Sequence, residues 1–199
     1  MSKIIEYFFT PVSPWAYLGH ERFVALARQH GATVLVKPMD MAKVFPVSGG
    51  LPLAKRAPQR QAYRLQEVAR WRELLGIPIN IEPKFLGSGP ELSSRLILAA
   101  REQGADNALA LAGGVMRARW VEERDIADPL TLTQIATALG QDGPALIARA
   151  ASAEIAAAYD ASSQDAIDRQ VFGAPTYVVG DELFWGQDRL DFLARKLAK

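Results

Sequence analysis

The sequence predicts an α/β protein in which a small β-sheet is interrupted by a large all-helical insertion. Three observations predict this fold class: a strand-like apolar run at 3–9, a second run at 32–37, and a pair of strand-like runs after Pro175. From about 58 to 170 no strand-like run occurs, and alanine is abundant. Because the runs that form the sheet lie far apart in sequence, the segment between them is expected to fold as an inserted helical part.

The first three elements form a β-α-β unit. Strand 3–9 is followed by a helical pattern from about 14 to 30, which Gly31 ends, and then by strand 32–37. A connection that contains a helix joins parallel strands, so these two strands are expected to be parallel.

Helical patterns fill the middle of the chain and divide it into a predicted sheet domain and a predicted insertion. The sheet domain comprises 1–45 and 170–199, and the insertion comprises 46–169. The segment Val47–Pro52 contains Gly-Gly and proline, which predicts a mobile loop. Helices are predicted over 59–75, 91–104, 107–121, 131–139, 143–151 and 153–170.

Pro175 opens the strand-like run Thr176–Val179, which is followed by Gly180-Asp181 and a second run at 182–185. Proline cannot donate to a strand ladder, so its place at the start of a strand is informative. A trans proline would be an ordinary turn residue. A cis bond would instead turn the backbone groups of Ala174 outward, where an extended peptide-like ligand could pair with them.

Ser13 stands at the predicted start of the first helix and is followed by Pro14. The first N–H groups of a helix lack internal partners and lie at the positive end of its dipole, so a hydroxyl there can help to stabilise an anion. Serine is also a favoured N-cap, and proline is favoured at the first helical position. Both interpretations of Ser13 remain open at this level.

Composition excludes several classes of function. A net charge of +1, with arginines scattered among acids, gives no basic surface for nucleic acid. The sequence contains no run of about 18 apolar residues, the length that would predict a membrane span. The N-terminus carries no cleavage-like signal, so a cytoplasmic protein is expected. The absence of cysteine excludes dithiol chemistry, and two histidines argue against a zinc site.

Four motifs are distributed along the chain: Tyr7–Leu18, Gly76-Ile77-Pro78, Val171–Thr176 and Trp185–Arg189. Together they resemble the kappa-class glutathione transferase family, and within it the isomerase branch. The resemblance implies a thioredoxin-like, DsbA-like fold, with serine where a redox protein carries its reactive cysteine. It also implies glutathione as a cofactor, a small aromatic substrate and a homodimer.

The activity that the resemblance implies is cis-trans isomerisation by reversible addition of the glutathione thiolate to a conjugated double bond. In this branch the reaction interconverts 2-hydroxychromene-2-carboxylate and trans-o-hydroxybenzylidenepyruvate, a step in naphthalene breakdown. A transferase that conjugates glutathione to electrophiles and a non-catalytic peptide-binding protein remain alternatives. A serine hydrolase is disfavoured because both histidines, His20 and His30, fall on the first helix.

The resemblance also assigns site residues. Ser13 would stabilise the thiolate, and Ala174 and Pro175 would hold the glutathione backbone. A helix start near 187 has free N–H groups that suit the γ-glutamyl carboxylate. The segment that binds the γ-glutamyl end comprises Trp185, Gly186, Gln187 and Asp188, and the substrate-binding residues comprise Lys43, Ala54, Lys55 and Phe85.

Each of these assignments has a plainer alternative. Asp188 could simply complement the helix dipole, and Lys43 could be a solvated charge. Other cations that could bind the substrate carboxylate lie on one predicted helix. Alternatively, they form salt bridges with Glu67 on the solvent-exposed face of that helix. These cations are Arg60, Arg64 and Arg70.

Three positions depart from the family pattern, and two tryptophans are interpreted as structural. Thr10 stands where relatives often have Asp, Gly50 where Asn is common, and Ala174 where Val is usual. The Gly50 difference puts one ligand contact in doubt. Trp71 and Trp120 are expected to be core residues of the helical part.

Overall fold

A computed structural model describes residues 3–199 and contains a four-stranded sheet in the order β2-β1-β3-β4. β1 and β2 are parallel, whereas β3 pairs antiparallel with both β1 and β4. The predicted α/β class with a helical insertion is confirmed. Met1 and Ser2, at the start of the predicted sheet domain, lie outside the described residues. The strands are β1 (Ile4–Phe9), β2 (Thr33–Pro38), β3 (Thr176–Val179) and β4 (Glu182–Trp185).

The helices follow the predicted order, and most of their ends fall within a few residues of the prediction. No helix among residues 3–199 is long and apolar enough to cross a membrane. Two short 3-10 helices, Leu53–Lys55 and Gln187–Arg189, complete the architecture. The α-helices are α1 (Pro14–Gln29), α2 (Met41–Ser48), α3 (Pro58–Leu75), α4 (Glu91–Arg101), α5 (Ala105–Trp120), α6 (Pro129–Ala138), α7 (Gly143–Ala150), α8 (Ala153–Asp168) and α9 (Leu190–Leu197).

Helix α2 corrects the prediction for the segment after β2. Asp40 caps it by accepting a hydrogen bond from the backbone N–H of Ala42 at 2.8 Å, and Gly49 ends it with a φ of 74°. The predicted loop 47–52 was therefore wrong for its first two residues, which are helical. Pro46 lies inside this helix, and a proline there argues against helix in any reading of the sequence alone.

The sheet and the inserted helices share one continuous apolar core. Tyr7 and Phe9 of β1 belong to the same buried cluster as Leu96 of α4 and Trp120 of α5, and Trp71 packs against that cluster. The expected core roles of both tryptophans are confirmed. Because this core crosses the predicted domain boundaries, and the boundary at residue 45 falls inside α2, the division into two domains stays a prediction.

The opposite face of β1 carries a smaller apolar cluster and a buried ion pair. Phe8 packs with residues of α2 and α8, as the two-residue period of a strand requires. Glu6, two positions earlier, is 7% exposed, and its carboxylate accepts from Lys37 at 2.5 Å and from Arg169 at 2.8 Å. Lys37 also binds Asp165. The buried carboxylate is therefore fully matched by cations.

His20 links β1, α1 and α5 within the main core. Its Nε2 lies 3.0 Å from the carbonyl oxygen of Leu109, and its Nδ1 lies 3.3 Å from the hydroxyl of Tyr7. These contacts fit a neutral ring that donates from Nε2 and accepts at Nδ1. A Cβ at Gly113 would stand 3.2 Å from the ring, so a glycine lets the helices approach. Burial lowers the pKa of His20, against the opposing effect of the Glu21 carboxylate.

This lowered pKa predicts a pH-dependent contribution to stability. The unfolded chain binds a proton at His20 near pH 6.5, whereas the folded chain resists it, so the free energy of unfolding falls as the pH drops below about 6.5. His20→Gln removes the titrating group. Urea unfolding should show the stability advantage of the wild type over His20→Gln shrinking between about pH 7.5 and pH 5. Parallel pH profiles for the two proteins would contradict this role.

Candidate functional site

Ser13 is the N-cap of α1 and also contacts the C-terminal hairpin. Its Oγ accepts from the backbone N–H of Ala16 at 3.2 Å, and Pro14 is the first helical residue. The same hydroxyl donates to the carbonyl oxygen of Ala174 at 3.2 Å. With 8% of its surface exposed, Ser13 joins the start of α1 to the segment that precedes β3. The N-cap interpretation is confirmed.

The segment that Ser13 contacts leads into β3 through a cis peptide bond between Ala174 and Pro175. The carbonyl oxygen of Pro175 accepts from the backbone N–H of Gly186 at 2.9 Å, which places the end of β4 beside it. Within residues 3–199 the N–H of Ala174 has no backbone acceptor. Ala174 therefore offers an unused backbone donor next to the Ser13 hydroxyl.

Trp185 closes one side of this region. It pairs with Thr176 across β3 and β4, about half of its surface is exposed, and its ring lies edge-on to Phe172 with centroids 4.8 Å apart. A Cβ at Gly173 would lie 2.2 Å from the indole Nε1, so the indole rests directly on the Gly173 backbone. A side chain at position 173 would displace the indole from the hairpin.

The residues after Trp185 form a tight turn into a 3-10 helix and then α9. Gly186 has a φ of 105°, and a Cβ there would lie 2.5 Å from the Asp188 carboxylate. Gln187 is buried, and its side-chain oxygen accepts from Arg22 at 2.7 Å. Asp188 is half-exposed and pairs with Arg189 at 2.7 Å. No side chain caps this helical start, so its first N–H groups have no partner within the helix.

Seven predicted site residues therefore lie together along a continuous path. The path offers a hydroxyl at the positive end of a helix, an unused backbone N–H, an uncapped helical start and a carboxylate. This set is complementary to an extended ligand that carries an anion and an ammonium group. The residues are Ser13, Ala174, Pro175, Trp185, Gly186, Gln187 and Asp188.

The geometry does not fit a serine nucleophile with a histidine base. Both ring nitrogens of His20 are engaged, one with Tyr7 and the other with Leu109. Ser13 donates to a backbone carbonyl rather than to a histidine. The Ser13 hydroxyl is thus placed to donate a hydrogen bond, and no base is placed to activate it.

The four predicted substrate-binding residues are more dispersed. The ammonium of Lys43, on α2, donates to Asp160 at 2.6 Å. Ala54 and Lys55 are exposed on the first 3-10 helix. Phe85 is half-buried in the segment between α3 and α4. No hydrogen bond among the described residues joins any of them to Ser13, and their assignment stays a prediction.

The other predicted cations differ in whether they form an ion pair, and the sequence analysis did not single out one buried arginine. Arg70 pairs with Glu67 at 2.5 Å, as the salt-bridged alternative predicted. Arg60 and Arg64 form no ion pair with the acids of residues 3–199. Arg119 is 2% exposed and was not predicted, because nothing in the local pattern distinguishes it from other arginines near helix ends.

Comparison with known proteins supports the family that the sequence motifs predicted. A curated 2-hydroxychromene-2-carboxylate isomerase of Pseudomonas putida is 30% identical, over 98% of this chain and 95% of its own length. Glutathione S-transferase kappa 2 of Caenorhabditis elegans is 27% identical, over 96% and 92%.

Structural comparison and a family model agree with these relatives. A solved structure of a 2-hydroxychromene-2-carboxylate isomerase superposes with a TM-score of 0.80 at 30% identity, over 98% of this chain and 94% of that chain. The model of the DSBA-like thioredoxin domain matches residues 4–198. The chain therefore belongs to the DSBA-like thioredoxin domain family and, within it, to the family of the 2-hydroxychromene-2-carboxylate isomerases.

Proposed function

We propose that this protein is a glutathione-dependent isomerase that converts 2-hydroxychromene-2-carboxylate to trans-o-hydroxybenzylidenepyruvate. The observation that carries the proposal is the hydrogen bond of 3.2 Å that the Ser13 hydroxyl donates to the carbonyl oxygen of Ala174, because it joins a helix start to the residue whose backbone N–H has no backbone acceptor within residues 3–199. The name of the Pseudomonas putida relative supports the reaction, and the name of the kappa relative supports glutathione.

The chain offers partners for two parts of glutathione, the cysteinyl backbone and the γ-glutamyl end. The N–H and carbonyl of Ala174 suit the backbone of the cysteinyl residue, in the manner of an added strand. The uncapped helical start after Gly186 suits the γ-glutamyl carboxylate, and Asp188 suits its ammonium group. These complementary groups lie beside one another, so one extended tripeptide could contact them all.

Ser13 would act as a donor to the sulfur. Its hydroxyl hydrogen is directed at Ala174 while that carbonyl has no other donor. A ligand N–H that bonds to the Ala174 carbonyl would release the hydroxyl to donate to a thiolate. Stabilising a thiolate by about 2.7 kcal/mol lowers a thiol pKa by about two units, which one charge-assisted hydrogen bond and the helix dipole together can supply.

Bound glutathione would supply a thiolate for reversible addition to the conjugated double bond of the substrate. The protein would hold the sulfur ionised and the ligand extended along β3. The proposal also includes a cytoplasmic location, where glutathione keeps thiols reduced, a homodimeric state and a role in naphthalene breakdown.

Ser13→Ala tests the proposed role of the hydroxyl. Loss of one charge-assisted hydrogen bond should raise the pKa of the bound glutathione thiol by about one to two units. The ultraviolet thiolate band, followed as a function of pH with saturating glutathione, measures this change. Ser13→Thr keeps a hydroxyl and should restore part of the effect.

Ser152→Ala is the matched control, because Ser152 caps α8 in the same way, accepting from Ile155 at 3.3 Å. Both alanine variants should lose about 1 kcal/mol of stability from the missing cap, but only Ser13→Ala should change the thiol. Equal thiol pKa values in the two variants would reduce Ser13 to an N-cap.

Asp188→Asn tests recognition of the γ-glutamyl ammonium. Because Asp188 is half-exposed, its loss should weaken glutathione binding by only about three- to tenfold in isothermal titration. N-acetylglutathione lacks the ammonium and should bind the wild type and Asp188→Asn equally. An equal loss with both ligands would mean that Asp188 acts on the turn rather than on the ammonium, and tight binding of unrelated peptides would favour the non-catalytic alternative.

Turnover distinguishes the isomerase from a kappa-like transferase. With limiting glutathione, an isomerase should convert many equivalents of 2-hydroxychromene-2-carboxylate while the total free thiol stays constant. A transferase would consume one thiol per product formed. Absorbance of the two isomers and thiol titration, followed in one reaction mixture, decide between them.

A further inference from the structure

One arginine occupies part of the inward side of α3. Val68 on this helix is buried, and Trp71 and Leu75 pack against the main core. Arg64 lies one turn before Val68 on the same side and is half-buried, whereas Arg60, one turn earlier, is exposed. A cation therefore stands where the pattern of this helix would place an apolar side chain.

The arginines around this position have no acidic partner. Within residues 3–199, Arg56, Arg64 and Arg119 form no salt bridge, whereas Arg70 on the same helix pairs with Glu67. Arg56 donates from Nε to the carbonyl of Leu51 at 2.8 Å. These three arginines, 56, 64 and 119, are referred to below as the arginine cluster.

Arg119 is the most deeply buried member of the cluster. Its guanidinium donates to the carbonyl oxygens of Leu86 at 2.7 Å and Ser88 at 3.3 Å, while its Nε is buried without a partner. Two neutral carbonyls do not neutralise a buried charge. An arginine at 2% exposure without a carboxylate is costly unless an anion completes its surroundings.

The charge of Arg64 interacts unfavourably with the charges of Arg56 and Arg119. Burial lowers the pKa of Arg64, and the charge of Arg56 lowers it further. Burial also lowers the pKa of Arg119 to about 10, where Asp125 opposes the shift and Arg64 adds to it. The cluster thus concentrates positive charge that forms no salt bridge within residues 3–199, and only the more distant Asp125 partly offsets it.

Aromatic rings lie beside these cations. The guanidinium of Arg56 is 5.9 Å from the ring centroid of Phe45, and that of Arg119 is 5.6 Å from the ring of Trp120. The carbonyls to which Arg119 donates belong to the three residues that follow Phe85 in the chain. Trp120 is fully buried, so of these two rings only that of the half-buried Phe45 lies near the surface, and positive charge beside it suits a ligand that is both aromatic and anionic.

We propose that Arg64, with Arg56 and Arg119 beside it, binds the carboxylate of the aromatic substrate. The proposal rests on the proposed function for the identity of that substrate. A guanidinium fork matches a carboxylate with two parallel hydrogen bonds, which an ammonium cannot do. Lys43 is the competing cation, but its charge is already matched by Asp160.

Helix α3, which carries Arg64, packs against α1, the helix that Ser13 caps. Trp15, in the first turn of α1, packs against the same core as Trp71 of α3. The hydroxyl of Tyr17 donates to the carbonyl of Pro78, just after α3, at 2.9 Å. Arg64 lies seven residues before Trp71, which is about 10 Å along the helix axis.

Isothermal titration without glutathione tests the proposal. The probes are benzylidenepyruvate and benzylideneacetone, which differ by a carboxylate in place of a methyl group. Arg64→Gln should weaken binding of benzylidenepyruvate by about tenfold or more and change binding of the neutral ketone by less than about twofold. Arg64→Lys keeps the charge without the fork and should recover only part of the affinity.

Arg70→Gln is the matched control, since it removes the same charge from the same helix at an ion-paired position. It should bind both probes like the wild type. Equal losses in Arg64→Gln and Arg70→Gln, or a loss in Lys43→Gln with none in Arg64→Gln, would overturn the proposal. So would a wild type that binds the two probes equally.

Thermal stability separates a ligand-binding role from a structural one. Because burial and, after it, the charge of Arg56 both disfavour the charged guanidinium of Arg64, the melting temperature of ligand-free Arg64→Gln should equal or exceed that of the wild type, and a lower value would contradict the proposal. The titration is also independent of Ser13. If glutathione fails to bind but the carboxylate probe binds through Arg64, the proposed function fails and this inference stands.

Discussion

The antiparallel pairing of β1 with β3 is the interaction on which the site depends. Tyr7 stands opposite Tyr177 in this pairing, and their rings stack at 5.4 Å within the aromatic core. The pairing joins two segments that the helical insertion separates in sequence. It brings the hydroxyl of Ser13 to Ala174, 161 residues away along the chain. The site forms because this pairing places the segment before β3 beside the start of α1. The helices of the insertion pack against the sheet and contribute the rest of the core.

Among residues 3–199, some buried charges have ion-pair partners and others do not. Near the sheet, the carboxylate of Glu6 is matched by Lys37 and Arg169, so its burial is compensated inside the protein. Near α3, Arg64 and Arg119 have no such compensation within residues 3–199. The first arrangement is what a structural ion pair requires. The second stores an electrostatic cost that an anionic ligand would offset, which is a feature of binding sites rather than of cores.

Most elements could be predicted because their signals are local. Strand β1 follows from its apolar run, and α1 follows from Ser13-Pro14 at its start and Gly31 at its end. Helix α2 could not be predicted, since Pro46 normally argues against helix, and only the cap of Asp40 and packing of Val44 on α8 outweigh it. The first seven site residues came from motifs at two ends of the chain, whereas Arg119 carries no local signal at all.

The sequence by itself determined the α/β class, the capped start of α1 and the exclusion of dithiol chemistry, because periodicity, capping and the absence of cysteine are properties of neighbouring residues or of composition. Tertiary structure alone decided which charges pair with residues far away in the sequence. Lys43 meets Asp160, 117 residues away, while Arg64 meets no acid among the described residues. The pair of Arg70 with Glu67 lies within one helix, so the spacing of the sequence predicts it. A pair such as Lys43 with Asp160 depends on which distant segment folds against the lysine, and the local pattern does not contain that information.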